Sequence, residues 1–412
     1  MKFTLFNLLW SFLGNSFAYD ALDRYILLED KLKTQELSRP YGHNFVWDIS
    51  LLANKNLLKF TKDIGEISDI EGTLTDKINE SGAILQQYNN TEQTILFNMD
   101  FQFPVPRFRI RSFTFKPNIR LGTRFGSNFG IRAEPLNNDT VLQLVGNSIP
   151  QVLRSAIATT NFLPGEDIME RVCTDRGMPL STCPDTGQYY YPTLANAPLT
   201  AVYTKLDAKL GLFTPYQGLY WFGDFNFYSM FRTDFRLLMS ADQIARGQSP
   251  LEGQGKRRQQ IFLMTDYRLG FRLWEKLETS FSVEEFKITR LSDNVEEAGE
   301  LNQKITPLFR VHTNLNLKQG IFTFSPFVGA HKRKNYEYKN GFYGGLDTKG
   351  HFLNDNMEFL LRAMADREHL SLASRFTFTV FQLEYLLKKP ITSAIENVNI
   401  STLHSVNIRF FF

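Results

Sequence analysis

Histidine and cysteine are scarce in this chain: six and two respectively in 412 residues. Cys173 and Cys183 have no histidine near them in sequence, so the ligand spacing of a structural zinc site is missing. His43, His312, His331, His351, His369 and His404 lie outside any nucleophile motif, and neither GxSxG nor HExxH occurs. His312 shares its parity with Asn314 and Asn316 and reads as a solvated polar residue. The expectation is no catalytic residue, no metal and no cofactor. Charge of either sign is not in excess, since the formal net charge is +3. That is too near neutrality for a nucleic-acid surface. Beyond residue 18 no apolar run of about 18 residues appears, which excludes a helical membrane span.

Aromatic residues, by contrast, are abundant, with 38 Phe and 16 Tyr, and they recur at every second position with charges between them. In Phe225 to Met239 the residues Phe225, Phe227, Phe231, Phe235, Leu237 and Met239 share one parity. Asp224, Asn226, Arg232, Asp234 and Arg236 take the other. The same alternation runs through Ile95 to Phe103, Leu206 to Leu212, Ile261 to Leu273, Val311 to Leu317, Phe322 to Val328 and Leu370 to Phe378. Period 2 is that of a strand with two unlike faces. The last nine residues sharpen the point: Val406, Ile408, Phe410 and Phe412 oppose Ser405, Asn407 and Arg409. So many charges on the second face call for water there: a lumen enclosed by a lipid-facing wall supplies it, and a soluble sandwich with its polar face outside fits the alternation alone equally well.

Connection lengths agree with an all-β, transmembrane antiparallel barrel of about 14 strands, range 12 to 16. Counting back from the last strand, long and short connections alternate, with tight turns near Val380–Phe381, Leu353–Asn356, Lys318–Gly320, Trp274–Lys276 and Thr214–Gly218. Outer-membrane barrels pair short periplasmic turns with long external loops in this way. Three strands before the long insert, near Thr94 to Phe103, Arg109 to Leu121 and Asn128 to Glu134, complete the count. Pro104, Pro106 and Pro117 interrupt that part.

Residues 1–18 read as a secretory signal, with Lys2, an apolar core from Phe3 to Gly14, and small residues Ser16 and Ala18. A buried N-terminal helix is the alternative. Residues 19–93 form a segment apart from the wall, helical over Asp20 to Leu37 and again near Leu57 to Tyr88. It either plugs the barrel or sits beneath it in the periplasm, and the run Phe45 to Leu51 is alternatively itself a wall strand. Residues 94–412 form the barrel, with an external insert 137–198 that holds Ile149, Leu153 and Ile157 at helical spacing. Cys173 and Cys183, ten positions apart in that insert, suit a disulfide in an oxidising compartment, stiffening the loop by roughly 2 to 3 kcal/mol. By parity Lys205, Asp207, Lys209, Arg232, Asp234, Arg236, Asp266, Arg268, Arg272, Arg310, Arg375 and Arg409 face the lumen, with basic groups in excess. In a conducting pore such a wall favours anions; in a plugged one the same groups pair with one another and the plug.

Four short motifs occur in order near the C-terminus: Gly344, Gly345 and Asp347; Leu361, Arg362 and Ala363; Leu383, Glu384 and Tyr385; and finally Phe412. Their order resembles the C-terminal strands of the long-chain fatty-acid transporter superfamily of barrels, which includes PorV-like and conjugation-associated TraF-like proteins. Met364 stands where that family usually has glycine, and no Asn-Pro-Ala lies near the mature N-terminus. The resemblance implies residence in a Gram-negative outer membrane, with its lipid and the barrel-assembly machinery as partners. Phe410 and Phe412 resemble the terminal signal which that machinery reads. A porin-like channel or transporter for small or hydrophobic solutes is then expected, the insert capturing solute and the N-terminal segment gating it. The alternative is a non-conducting barrel that serves surface assembly, secretion or conjugation by binding partner proteins.

Overall fold

The structure, a computed structural model, describes residues 21–37, 44–66, 69, 71, 84, 87–88, 90–133, 151–157, 159–163, 166–184, 198–239, 256–274, 276–296, 305–353, 356–395 and 398–412. The leader expected at 1–18 lies outside them. Fourteen antiparallel strands form one closed wall. In chain order they are β1 (Val46–Asn54), β2 (Thr91–Pro104), β3 (Asn118–Ala133), β4 (Pro198–Gln217), β5 (Trp221–Met239), β6 (Lys256–Leu273) and β7 (Leu277–Glu296). There follow β8 (Leu308–Leu315, continued by Leu317–Gln319), β9 (Phe322–Lys332), β10 (Phe342–Phe352), β11 (Met357–Asp366), β12 (His369–Phe378), β13 (Phe381–Pro390) and β14 (Leu403–Phe411). Each strand pairs with its neighbours in sequence. Closure comes from β1, whose Val46 pairs with Gln102 of β2 on one side and with Phe411 of β14 on the other.

The alternation in sequence becomes an alternation of inside and outside. Leu206, Leu210, Phe225, Phe227, Phe231, Leu372 and Val406 face outward and stay about half exposed. Their neighbours Lys205, Asp207, Arg232, Asp234, Arg375 and Asn407 are buried. An apolar face left bare on every strand is stable only against hydrocarbon.

The count of 14 agrees with expectation, but two of its early members differ. Arg109–Leu121 and Asn128–Glu134 are not two strands: β3 runs unbroken through Gly122 and Gly126 to Ala133. Arg109 belongs instead to a short hairpin, Phe108–Ile110 paired with Phe113–Phe115, which hangs from the β2–β3 connection. The missing wall strand is β1, so the wall begins at Val46 and not at residue 94. It is the run Phe45 to Leu51 that the sequence left open as a wall strand, standing alone between two helical stretches, α1 (Ala21–Glu36) and α2 (Leu57–Glu66).

Tight connections gather at the end that holds Phe412, where Phe411 N–H donates to the carbonyl of Val380 at 2.8 Å. Gly320 turns the chain there at φ 61, a conformation glycine adopts without steric cost. Long connections gather at the opposite end. The β1–β2 connection with α2 is among them, since Lys55 N–H reaches Thr402 O and Asn399 N–H reaches Asn90 O. So is the longest insert, which folds on a small core of its own. In it, α3 (Gln151–Ile157) and α4 (Ile168–Asp175) pack Leu153, Ile157, Met169 and Val172 together. Asp167 caps α4 by accepting from Met169 and Glu170 N–H at 2.9 Å each, and Cys173 is disulfide-bonded to Cys183.

Leu210, outward on β4 and 50% exposed, lies well inside the apolar band. Leu210→Arg is expected to destabilise the barrel by about 2–4 kcal/mol in urea unfolding from phospholipid vesicles. An unchanged midpoint would show that this face does not meet hydrocarbon.

Candidate functional site

The barrel is filled by α1. Leu22, Tyr25, Leu28 and Leu32 recur at helical spacing, with Ile26 beside them, and pack on inward-facing Leu52, Leu96 and Leu403 of the adjacent strands β1, β2 and β14. Helix-forming Leu, Lys and Glu dominate the segment, and Asp23 in the first turn and Lys33 in the last suit the macrodipole. The remaining faces of the helix are charged, and the opposite wall answers them.

From the loop end downward, Asp23 accepts from Asn335 at 3.0 Å, and Arg24 bridges Glu92 and Glu368 at 2.9 Å each. Glu29 is held by Lys205 at 3.0 Å and by Arg124. Arg333 clasps Asp30 with two bonds of 2.8 Å and also reaches Glu285 at 3.0 Å. Lys31 sits between Asp366 and Glu368 at 2.8 and 2.7 Å, and Lys33 meets Glu285 at 2.9 Å. At the lower end Arg362 donates to the Gln35 side chain at 2.7 Å while forking onto Asp347. Asp366, Glu368 and His369 lie close enough to hold a cation together, and the carboxylates are taken by the Lys31 ammonium between them, with Arg24 on Glu368 and Lys388 on Asp366.

Electrostatics at the loop end keep this network charged. Burial alone would raise Glu368, yet Arg24 and Lys31 outweigh it and hold the carboxyl down at about 2. Burial, and then the Asp30 carboxylate, push the Tyr336 hydroxyl well up, so it stays a donor to Asp30 at 3.0 Å.

Glu285 owes its position to a β-bulge. Pairing of β6 with β7 shifts register near Tyr267, Glu285 adopts φ 55, and its N–H donates to Asp266 at 2.6 Å. The extra residue turns Glu284 and Glu285 inward in succession, a local re-aiming typical of bulges. Glu284 then pairs with Arg310 at 3.0 Å, leaving Glu285 for Lys33, Arg333 and Lys209.

Of the lumen residues expected from parity, Lys205, Lys209 and Asp266 touch this network through Glu29 and Glu285, and Arg310 joins it through Glu284. Lys205 also meets Asp207 at 2.8 Å, and Lys209 reaches Glu285 at 3.4 Å. The others pair along the wall: Arg232 with Asp234 at 2.7 Å, Arg268 with Asp224 at 2.7 Å, Arg272 with Glu278 at 2.6 Å, and Arg409 with Asp48. Arg375 is fully buried, 3.8 Å from Glu384, and Asp266 accepts from Tyr228 at 2.9 Å. The Arg236 side chain lies outside the described residues. Outside the lumen, Phe410 packs on Trp47 with ring centroids 5.7 Å apart, and Phe412 N–H bonds to Phe45 O. Sequence reasoning missed Arg24, Asp30, Lys31, Arg333, Asp366 and Glu368. It could have found the bulge, because apolar parity switches between Val283 and Phe286 across two successive glutamates.

Below α1 a cavity of about 210 Å³ opens toward the turn end, lined by seven basic and eight acidic side chains, among them Arg120, Arg268, Arg409, Glu36, Asp48 and Asp224. The expected basic excess is absent from it, since the arginines counted by parity face carboxylates on neighbouring strands.

A closed antiparallel wall, apolar outside and charged inside, defines a transmembrane β-barrel, here one with a helix in its lumen. No family model and no curated protein matches the sequence. Among solved structures it is similar to the transport unit of the autotransporter AIDA-I from Escherichia coli, at 6% identity and TM-score 0.37, over 96% of this chain and 99% of that one. A Pseudomonas aeruginosa FadL homologue aligns over 78% of this chain and 68% of its own, at 8% identity and TM-score 0.32. A mutant porin of Rh. blastica aligns over 90% and 99%, at 8% identity and TM-score 0.28. These are outer-membrane β-barrels, and at such identities the likeness is one of fold.

Arg333→Ala strips a buried partner from Asp30 and Glu285 together, and is expected to cost about 3–5 kcal/mol in equilibrium unfolding; Arg333→Lys recovers part of it. Acid acts on the same network through Glu368. Its carboxyl is lowered in the folded structure, so its contribution is complete above the usual value near 4.5 and fades as pH falls toward about 2. Protease access to α1 should therefore stay constant from pH 8 to 5 and rise only below pH 4. Glu368→Gln should flatten that rise.

Proposed function

We propose that the protein is an outer-membrane channel whose lumen is closed by α1 and which passes small hydrophilic solutes when the helix yields. The observation that carries this reading is the fastening of α1. Around most of its circumference it is held by ion pairs to a wall that is otherwise charged and wet, with one apolar seam along β14, β1 and β2. A group of charges paired across a lumen exchanges partners for water at modest net cost once the helix moves, whereas a packed apolar core would not. The tight turns then face the periplasm and the long connections the outside, with Phe410 and Phe412 serving as the assembly signal. The cavity lining is dominated by charge, which favours polar over fatty solutes. Its near balance of signs, together with the four acidic and three basic groups of α1, supports weak ion selectivity.

A second reading rests on a different observation. The disulfide-bonded unit around Leu153, Ile157, Met169 and Val172 gives the external face a preformed surface, as a partner-binding barrel would need.

Planar-bilayer recordings separate the two. The whole chain is expected to be mostly closed, and a variant lacking residues 21–36 to show stable openings with a reversal potential near zero in a KCl gradient. A barrel that folds yet stays silent in both forms would refute the channel and favour the partner-binding role.

A further inference from the structure

Between Asp100 and Glu134 the chain has no carboxylate and seven basic residues. Its most exposed part is the hairpin Phe108–Ile110/Phe113–Phe115 at the turn end of the wall. Phe108 lies opposite Phe115, with stacked rings 5.0 Å apart, and Ile110 lies opposite Phe113. All four therefore share one face. That face continues the outward side of β4: Phe115 pairs with Tyr216, and the rings of Phe113 and Phe115 meet that of Tyr216 at 6.1 and 5.9 Å. Phe108 and Ile110 are nonetheless 47% and 55% exposed, apolar surface that none of the described residues covers.

Arg107, Arg109 and Arg111 are exposed along the other edge and at the tip. Arg109 Nε donates to the Arg111 carbonyl at 3.1 Å. Arg111 begins the two-residue turn at φ 53, a position that favours glycine or asparagine because a Cβ is crowded there. A strained arginine at a hairpin tip is poor turn chemistry, and it points to a use for the side chain.

We propose that this hairpin is a binding site for anionic phospholipid of the adjacent, periplasmic leaflet, the aromatic face seated among acyl chains beside β4 and the three guanidinium groups holding headgroup phosphate. The naming of that leaflet rests on the orientation given above; the site itself does not depend on gating. One apolar and one basic face is the pattern of a segment lying in the membrane interface, and guanidinium matches phosphate oxygens with paired, charge-assisted bonds. Continuity with the lipid-facing wall selects lipid over free phosphate as the source.

The test uses Trp221, whose carbonyl accepts from Gly218 at 2.7 Å, the glycine against which the Phe113 ring lies. With Trp10, Trp47 and Trp274 changed to Phe, the full chain is placed in phosphatidylcholine vesicles. Quenching by brominated phosphatidylglycerol is compared with quenching by brominated phosphatidylcholine. A preference for phosphatidylglycerol of about tenfold or more is expected, with about fivefold per arginine, and it should weaken with salt. Arg111→Gly should lose about fivefold while the heat-modifiable, folded band on gels is unchanged or more robust. Arg107→Ala, Arg109→Ala and Arg111→Gly together should abolish the preference. Equal quenching by both lipids in the unaltered hairpin would overturn the proposal, as would a preference that survives the triple change. Neither result bears on conductance.

Discussion

Everything in this molecule follows from the demand that no backbone amide be left unpaired in hydrocarbon. Strands meet that demand only when the sheet has no edge, so the first and last strands must find each other. Once β1 bonds to β14, the side chains alternate between two separate solvents. The outward set is nearly uniform, aliphatic and aromatic. The inward set holds charges that cannot escape, and each must be neutralised by what is enclosed with it, because an isolated buried charge is prohibitively costly. Pairs along the wall such as Arg232–Asp234 and Arg268–Asp224 solve this locally. Where the wall leaves Glu285, Asp366 and Glu368 in excess on one side, and Lys205 and Arg124 on another, α1 brings the complement.

The helix is thereby specified more by charge register than by grease. Its apolar stripe fits only the β14–β1–β2 side, through Leu52, Leu96 and Leu403. Rotation or sliding by one turn would put Lys31 out of reach of Asp366 and Glu368 and Asp30 out of reach of Arg333. Buried ion pairs of this kind add little net stability but impose a large penalty on misalignment.

How much of this the sequence disclosed depends on what each residue's partner was. The wall was legible because alternation is local: Phe225, Phe227 and Phe231 declare the outside, and Asp224, Arg232 and Asp234 the inside, with no knowledge of neighbours. Strand number emerged for the same reason, although the early part came out through two compensating differences. Pro104, Pro106 and Pro117 cut the β2–β3 region into pieces, so a hairpin was read as wall, while β1, legible over Phe45 to Leu51 only as an alternative, was left out of the count because helices flank it. The lumen network was not legible, since Arg24 and Glu368, or Asp30 and Arg333, lie some three hundred positions apart and are joined only by closure. The bulge at Glu285 stands between these cases, as the broken parity was visible while its purpose required Lys33.

The pairing of β1 with β14 also bears on how such a barrel can be built. Asp48 and Arg409, 361 positions apart, meet across the one seam that joins strands distant in sequence, so without the β1–β14 pairing the wall is an open trough. A helix bearing seven charged groups can be laid in such a trough sideways, each group meeting its counterpart as it arrives. Driven lengthwise through a finished tube, it would have to pass unmatched partners at every step. The occupant is thus best installed before the seam is sewn, and its charges help to hold the trough at the curvature that brings the two edges together.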